Sequence, residues 1–111
     1  MEESHKKQAE EFLSIMQHTH VTIKRLLEAG NYPLAMVQLE QCQSYALSFG
    51  QQMESTEGTV PTTITLLEDY CELVYRIYEE LRCGLPVNPN DVHNSLAMQM
   101  IRVGNHMRDE N

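Results

Sequence analysis

Two stretches of the chain carry apolar residues at alternating steps of three and four, and this spacing constrains the fold more than any other feature. The first stretch lies between Asn31 and Gly58, and the second lies between Thr59 and Gly84. Such steps place side chains along one side of an α-helix, as in the contact line between packed helices. The two rows are Ala35, Leu39, Cys42, Ala46, Phe49, Met53 and Ile64, Leu67, Cys71, Val74, Tyr78, Leu81.

Two further helices are predicted on either side of this pair. Helix one runs from about Glu3 to Ala29 and ends at Gly30, which suits the residue just past a helix end. Helix four starts with Asn88 as its N-terminal cap and Pro89 at its first position. Their apolar rows are Ala9, Phe12, Met16, Thr19, Ile23, Leu26 and Val92, Leu96, Met100, Val103, Met107.

The two central helices have start signals of the same kind. Asn31 can cap helix two, and Pro33 is tolerated in the first turn because the amide at that position is unpaired in any case. Thr59 or Thr62 can cap helix three, again with a proline, Pro61, in the first turn. The pattern therefore predicts four helices with short connections.

Short connections make successive helices antiparallel neighbours. The predicted fold is all-α, an antiparallel four-helix bundle in up-down-up-down order, with helix three most buried. Helix three is placed at the centre because a second apolar row lies beside its first. Gly50, inside helix two, indicates either a close helix contact or a bend. The second row of helix three consists of Leu66, Tyr70, Leu73 and Ile77.

Composition limits the class of protein and of partner. The 111 residues, 41% of them hydrophobic, predict a single helical-bundle domain over residues 1–111. The formal net charge of −8, with acidic residues spread along the chain, argues against nucleic acid and against an anionic membrane surface. No apolar run approaches the length of a transmembrane helix, and the polar N-terminus is unlike a signal peptide. Three cysteines, an odd number, predict reduced thiols in the cytoplasm.

No motif specifies a chemistry, so we expect a protein without enzymatic activity and without a cofactor. His18 and His20 are two residues apart and diverge on a helix, whereas two helical metal ligands should be three or four apart. There is no His-Glu-x-x-His sequence. A metal-binding bundle would need three converging His, Glu or Cys side chains, and we predict no metal site.

Histidine phosphotransfer is the principal alternative function. Phosphotransfer domains are four-helix bundles with an exposed histidine and a nearby basic residue. His20 lies at the edge of the helix-one row, and Lys24 follows one turn later. The usual family motif has lysine three residues after the histidine and then a glycine, which this chain lacks. The alternative requires His20 to be exposed.

The function that we expect is that of a small acidic cytoplasmic interaction module, such as an adaptor, a chaperone-like partner or an accessory subunit. Four apolar residues lie outside the predicted rows of helices two and four, and apolar surface of this kind can mark an interface. A symmetric homodimer would bury the patch on both chains at once. The candidate interaction face consists of Met36, Leu47, Met98 and Ile101.

A short segment resembles the first helix of a tetratricopeptide unit. The resemblance rests on Gly30, Tyr32, Ala35 and Leu39 and covers barely a dozen residues. No second copy follows at the repeat period, and helix two is too long for that unit. We attribute the similarity to the general sequence requirements of a helix hairpin.

Overall fold

The computed structural model describes residues 3–57 and 61–109 of the chain, and the side chains of residues 6–54 and 62–107. Four α-helices make up most of these residues. They are α1 (Glu3–Glu28), α2 (Tyr32–Glu57), α3 (Pro61–Arg82) and α4 (Pro89–Asp109). No strand occurs within those ranges, so the all-α class is confirmed. None of the helices described has both the length and the apolar character needed to cross a membrane.

Glycines end α1 and α3 in the same way. Gly30 and Gly84 have φ angles of 75° and 74°, in the left-handed region that glycine adopts without strain. The amide of each glycine donates to the carbonyl three residues earlier, and the next amide donates to the carbonyl five residues earlier. This is the Schellman arrangement, which satisfies carbonyls that the helix leaves unpaired. The predicted end of helix one at Gly30 is confirmed.

Asparagine side chains cap the start of α2 and of α4, as predicted. The Asn31 Oδ1 atom accepts a hydrogen bond of 3.4 Å from the amide of Leu34. The Asn88 Oδ1 atom accepts hydrogen bonds of 2.9 and 3.2 Å from the amides of Asn90 and Asp91. Both caps satisfy amides that have no partner inside the helix.

The start of α3 is at Pro61, in the first turn as predicted. Of the two predicted caps, Thr59 lies outside the described residues, and Thr62 lies inside the helix instead of preceding it. The buried row of α3 also differs from the prediction, because it runs between the two predicted rows. Only Leu67, Cys71 and Val74 of the first predicted row are buried, and Ile64, Tyr78 and Leu81 are half-buried. The buried residues of α3 are Thr63, Leu67, Tyr70, Cys71, Val74 and Ile77.

The other three helices follow their predicted rows more closely. Every residue of the predicted rows of α2 and α4 is buried, which confirms both rows. In α1 the prediction was wrong at two positions, since His20 is buried in place of Thr19, and Leu27 in place of Leu26. Thr19 lies at the partly exposed edge, where its hydroxyl donates to the Ile15 carbonyl at 2.8 Å. A hydroxyl that is satisfied within its own helix does not need a partner in the core.

Each helix packs against two others. The contacting pairs are α1 with α2, α2 with α3, α3 with α4, and α4 with α1, whereas α1 with α3 and α2 with α4 are not adjacent among the described residues. These contacts are compatible with a bundle. Gly50 is buried in an uninterrupted α2, and a Cβ atom there would meet the Leu67 side chain of α3 at 3.4 Å. Of the two interpretations of Gly50, the close helix contact is confirmed.

Candidate functional site

His20 lies in the core of the bundle and not at its surface. Its side chain is fully buried between helices. The Nε2 atom lies 2.6 Å from the hydroxyl oxygen of Tyr70 on α3, and the Nδ1 atom lies 3.3 Å from Oε1 of Gln17 on α1. Both ring nitrogens therefore have partners inside the protein, as a buried imidazole requires.

The neighbouring contacts determine which atom carries each proton. The Gln17 Nε2 atom donates to the carbonyl of Ala97 on α4 at 3.5 Å, so its Oε1 atom faces His20 as an acceptor. The Nδ1 atom of His20 then carries the hydrogen, and Nε2 accepts from the Tyr70 hydroxyl. Tyr70 is also hydrogen-bonded to Cys42 on α2. We call this set of groups the polar chain, and it includes a residue from every helix. Its members are Cys42, Tyr70, His20, Gln17 and the Ala97 carbonyl.

Burial keeps the polar chain uncharged at neutral pH. Burial, with a smaller effect of the nearby His93, lowers the pKa of His20 to about 4. It also raises the pKa of Cys42 to about 11, against the opposing effect of the Tyr70 hydrogen bond. The neutral imidazole of His20 and the protonated thiol of Cys42 both form hydrogen bonds with the Tyr70 hydroxyl. Neither is a nucleophile that a substrate can reach.

The arrangement weighs against His20 as a phosphoacceptor. The hypothesis required an exposed imidazole, and the imidazole is enclosed by α1 and α3. Lys24, one turn later, is half-buried on the same helix. The sequence pattern placed His20 at the edge of the apolar row of helix one, because it assigned the preceding residue, Thr19, to the core. The apolar neighbours of His20 gave no indication of Tyr70, which is fifty positions away in the sequence.

The other two thiols lie where the sequence placed them. Cys71 is buried, and its Sγ atom donates to the Gln43 carbonyl on α2 at 3.8 Å. Burial, with a smaller effect of Glu68, raises the pKa of Cys71 to about 11. Cys83 is exposed just beyond α3, and all three cysteines are free. The two buried thiols are therefore structural, since a thiolate is the reactive form.

No cluster of metal ligands is present among the described residues. His, Cys, Asp and Glu side chains do not come together there in any group of three or more that could hold an ion. His18 is exposed, and His20 is engaged by Tyr70 and Gln17.

The predicted interaction residues are divided between opposite sides of the bundle. Leu47, Met98 and Ile101 are 48%, 58% and 52% exposed, whereas Met36 is half-buried. Leu47 lines a shallow groove between α2 and α3, and Ile101 lines another between α1 and α4. Because α2 and α4 are not adjacent, these residues do not form one continuous patch.

Exposed apolar side chains lie on the outer side and on both flanks of α2, and sequence reasoning found them only in part. Half of the large apolar side chains that are exposed in the described part of the chain belong to this helix. We call them the α2 surface: Tyr32, Leu34, Val37, Tyr45 and Leu47. Of the predicted residues, only Leu47 belongs to it.

The α2 surface is also nearly free of charge. From Tyr32 to Met53, a stretch of 22 residues, Glu40 is the only charged residue. Glu40 accepts a hydrogen bond from the Tyr78 hydroxyl on α3, and this bond is the main reason why the pKa of Tyr78 is raised. The acidic residues are therefore not spread evenly along the chain, contrary to the prediction from the sequence. A count of charges along the chain would have revealed this surface.

A second row of α2 has the same spacing as the buried row but lies on the opposite side of the helix. Its steps are four, three, four and three, and all five side chains are exposed and uncharged. The small serines at its middle allow close approach of another backbone, because interhelical distance depends on the side chains at the contact. We call it the outer row: Val37, Gln41, Ser44, Ser48 and Gln51.

Comparison of the chain with protein-family models, curated proteins and solved structures finds no match.

Proposed function

We propose that this chain is a small acidic protein-interaction module without catalytic activity, acting in the cytoplasm as an adaptor, a chaperone-like partner or an accessory subunit, and that its contact surface lies on α2. The observation that carries the proposal is the combination of exposed apolar side chains and a single charged residue, Glu40, over residues 32–53 of α2. Three free cysteines, two of them buried, support a reducing compartment.

A partner that covers α2 would displace water from its exposed apolar side chains. Removing apolar surface from water is favourable, at about 25 cal/mol per Å². Burying a charge without a partner is costly, and the cores of protein interfaces are accordingly poor in charged residues. Between Tyr32 and Met53 of α2 the apolar gain comes with little of that cost, because the one charged residue there, Glu40, already has Tyr78 as a partner. The other large exposed apolar residues of the described chain are distributed over α1, α3, α4 and one connection.

We further propose that the four helices are antiparallel, in up-down-up-down order. Two contacts support this order, because a residue from the first half of one helix meets a residue from the second half of its neighbour: Phe12 stacks on Phe49 with ring centroids 4.0 Å apart, and Thr63 contacts His106 at 3.1 Å. Between α2 and α3 the contacts run in opposite directions along the two helices, from Gly50 with Leu67 through Gln43 with Cys71 to Glu40 with Tyr78.

We also propose that α3 is the most buried helix. Several half-buried apolar residues of α3 pack beside its buried row, namely Leu66, Leu73, Tyr78 and Leu81. This favours burial of a wide arc of the helix. The buried side chains themselves are shared almost evenly among the four helices.

Site-specific photo-crosslinking tests whether α2 contacts protein. A photoreactive amino acid replaces Val37 on α2 in one variant and Tyr75 on α3 in the control; both side chains are exposed. In irradiated cells that make the chain naturally, we expect crosslinked protein adducts, including adducts of the chain with itself, from position 37 and few from position 75. An absence of adducts at 37, or equal yields at both positions, would overturn the proposal.

A further inference from the structure

The net charge of the four helices is concentrated in one half of the bundle. α2 has three acidic residues and no basic one, and α3 has five acidic residues and two basic ones, so each of these helices has a formal charge of −3. α1 and α4 each have equal numbers of acidic and basic residues. Because α2 and α3 pack against one another, the half of the bundle that they form attracts positively charged partners.

A shallow groove with an apolar floor lies between these two helices, and we call it the Gly50 groove. It lies over Gly50 because that residue has no side chain; a Cβ atom there would meet Leu67 at 3.4 Å and Ile64 at 3.9 Å. Leu47, a member of the α2 surface, also lines the groove and is 48% exposed. An apolar side chain placed in the groove would therefore remove apolar surface of both helices from water.

Two glutamates border the Gly50 groove, and none of the residues that line it is basic. Glu54 comes from α2 and Glu68 from α3, so the two carboxylates belong to opposite walls. Both side chains are exposed, and neither forms an ion pair within residues 6–54 and 62–107. α2 has no basic residue, and the first one of α3, Arg76, is eight residues beyond Glu68, roughly 12 Å along the helix. Neither helix therefore neutralises the walls of its own groove.

We propose that the Gly50 groove binds a segment of another protein in which a large apolar side chain is flanked by lysine or arginine. The inference rests on the proposed function and names the chemistry of the partner. The apolar side chain would occupy the space over Gly50, and the basic side chains would pair with Glu54 and Glu68. An uncharged segment would leave these carboxylates partly desolvated without a partner, and an acidic segment would be repelled by them.

Titration of the full chain with synthetic peptides tests this assignment. The probe is an amphipathic helical peptide of roughly 14 residues with leucines along one side and lysines beside them, and the comparison peptide has glutamate in place of lysine. We expect the lysine peptide to shift the amide resonances of residues 46–54 and 64–68, and the glutamate peptide to shift none. Binding should weaken when salt is raised from about 0.15 M to about 1 M, because the Debye length falls from about 8 Å to about 3 Å.

Paired variants separate the groove from the overall charge of the chain. Glu54→Gln with Glu68→Gln should weaken binding of the lysine peptide by on the order of fivefold, since each wall loses an ion pair with the peptide. Glu11→Gln with Glu28→Gln removes the same charge from exposed positions of α1 and should leave the affinity nearly unchanged. Equal effects of the two double variants would overturn the proposal.

The apolar floor has its own pair of variants. Leu47→Ala should weaken binding of the lysine peptide, because it removes apolar surface that the bound side chain would cover. Met98→Ala, at an exposed apolar position of α4, should not. Helical circular dichroism should be unchanged in both, since both positions are exposed. Equal affinities of the two variants would overturn the groove as the binding site.

The outcomes separate this inference from the function on which it rests. Failure of the lysine peptide to bind, or equal binding of the glutamate peptide, would overturn the basic partner, and photo-crosslinks from position 37 would still support the interaction function. A photoreactive residue in place of Gln51, which lines the groove, extends that experiment. The protein segment crosslinked there, identified by mass spectrometry, should have a net positive charge, and an acidic segment would overturn the proposal. Absence of adducts at position 37 would instead overturn the proposed function.

Discussion

α2 and α3 lie side by side, and each packs one row of side chains into the core, but the two rows differ in polarity. The row of α2 is apolar throughout apart from its thiol, Cys42. The row of α3 contains Thr63 and Tyr70, and both are fully buried and hydrogen-bonded to histidines of other helices. On the outside the contrast is reversed, since α3 has seven charged residues whereas α2 has one between residues 32 and 53.

The polarity of the buried row and the polarity of the outer side of a helix therefore vary independently. The buried row of α2 is almost entirely apolar, and α2 has one charged residue between residues 32 and 53. The buried row of α3 adds two polar contacts to its apolar packing, and the outer side of α3 is charged.

The largest expected effect comes from truncating the apolar row of α2. Leu39→Ala should cost roughly 2–5 kcal/mol of unfolding free energy, because it leaves a cavity at a fully buried position. Ile64→Ala on α3, at a half-buried position, should cost roughly 1 kcal/mol. Denaturant unfolding of both variants measures the difference. Equal losses would mean that the two helices are buried alike at these positions.

The second effect is a loss of stability in mild acid caused by His20. Its pKa is about 6.5 when unfolded and about 4 when folded, so the unfolded chain binds more protons between these values. Stability should therefore be highest above about pH 6.5 and fall as the pH is lowered to 4, by roughly 3 kcal/mol from this residue.

Unfolding measured across this pH range tests the assignment to His20. The variant His20→Gln should lose most of the decline, whereas His18→Gln, at an exposed position, should keep it. A decline of the same size in His20→Gln would assign it to groups other than His20.

The smallest of the three effects concerns the hydroxyl of Tyr70. Tyr70→Phe leaves His20 Nε2 and the Cys42 thiol without their shared partner and should cost roughly 1–3 kcal/mol. Tyr75→Phe makes the same change at an exposed position of α3 and should lie within about 0.5 kcal/mol of the unmodified protein. Similar stabilities for the two variants would show that the polar chain contributes little.

The sequence predicted those features that depend on local spacing and on caps. The four helices, the ends at Gly30 and Asn88, and the buried rows of α2 and α4 follow from local rules and were confirmed. The rows of α1 and α3 were partly wrong, because the positions of His20 and Tyr70 depend on one another across the bundle. Local spacing favours the more apolar choice and does not detect such a pair.

The candidate site was predicted less well than the fold. Leu47 belongs to the α2 surface, but Met98 and Ile101 lie on a helix that is not adjacent to it. The spacing of apolar residues in the sequence shows that a residue lies outside the buried row of its helix. The spacing does not show whether two such residues on different helices lie on the same side of the protein, because that depends on which helices are neighbours.

The polar chain also limits how the helices can be aligned lengthwise. In a wholly apolar core, one helix can slide past another by a heptad and still meet apolar groups. Here a slide of α1 against α3 would separate His20 from Tyr70 and leave an imidazole nitrogen unpaired in the interior. Buried polar groups can select a single alignment in this way. The Tyr70→Phe variant is therefore where we expect alternative alignments to appear first, as additional sets of amide resonances in its NMR spectrum.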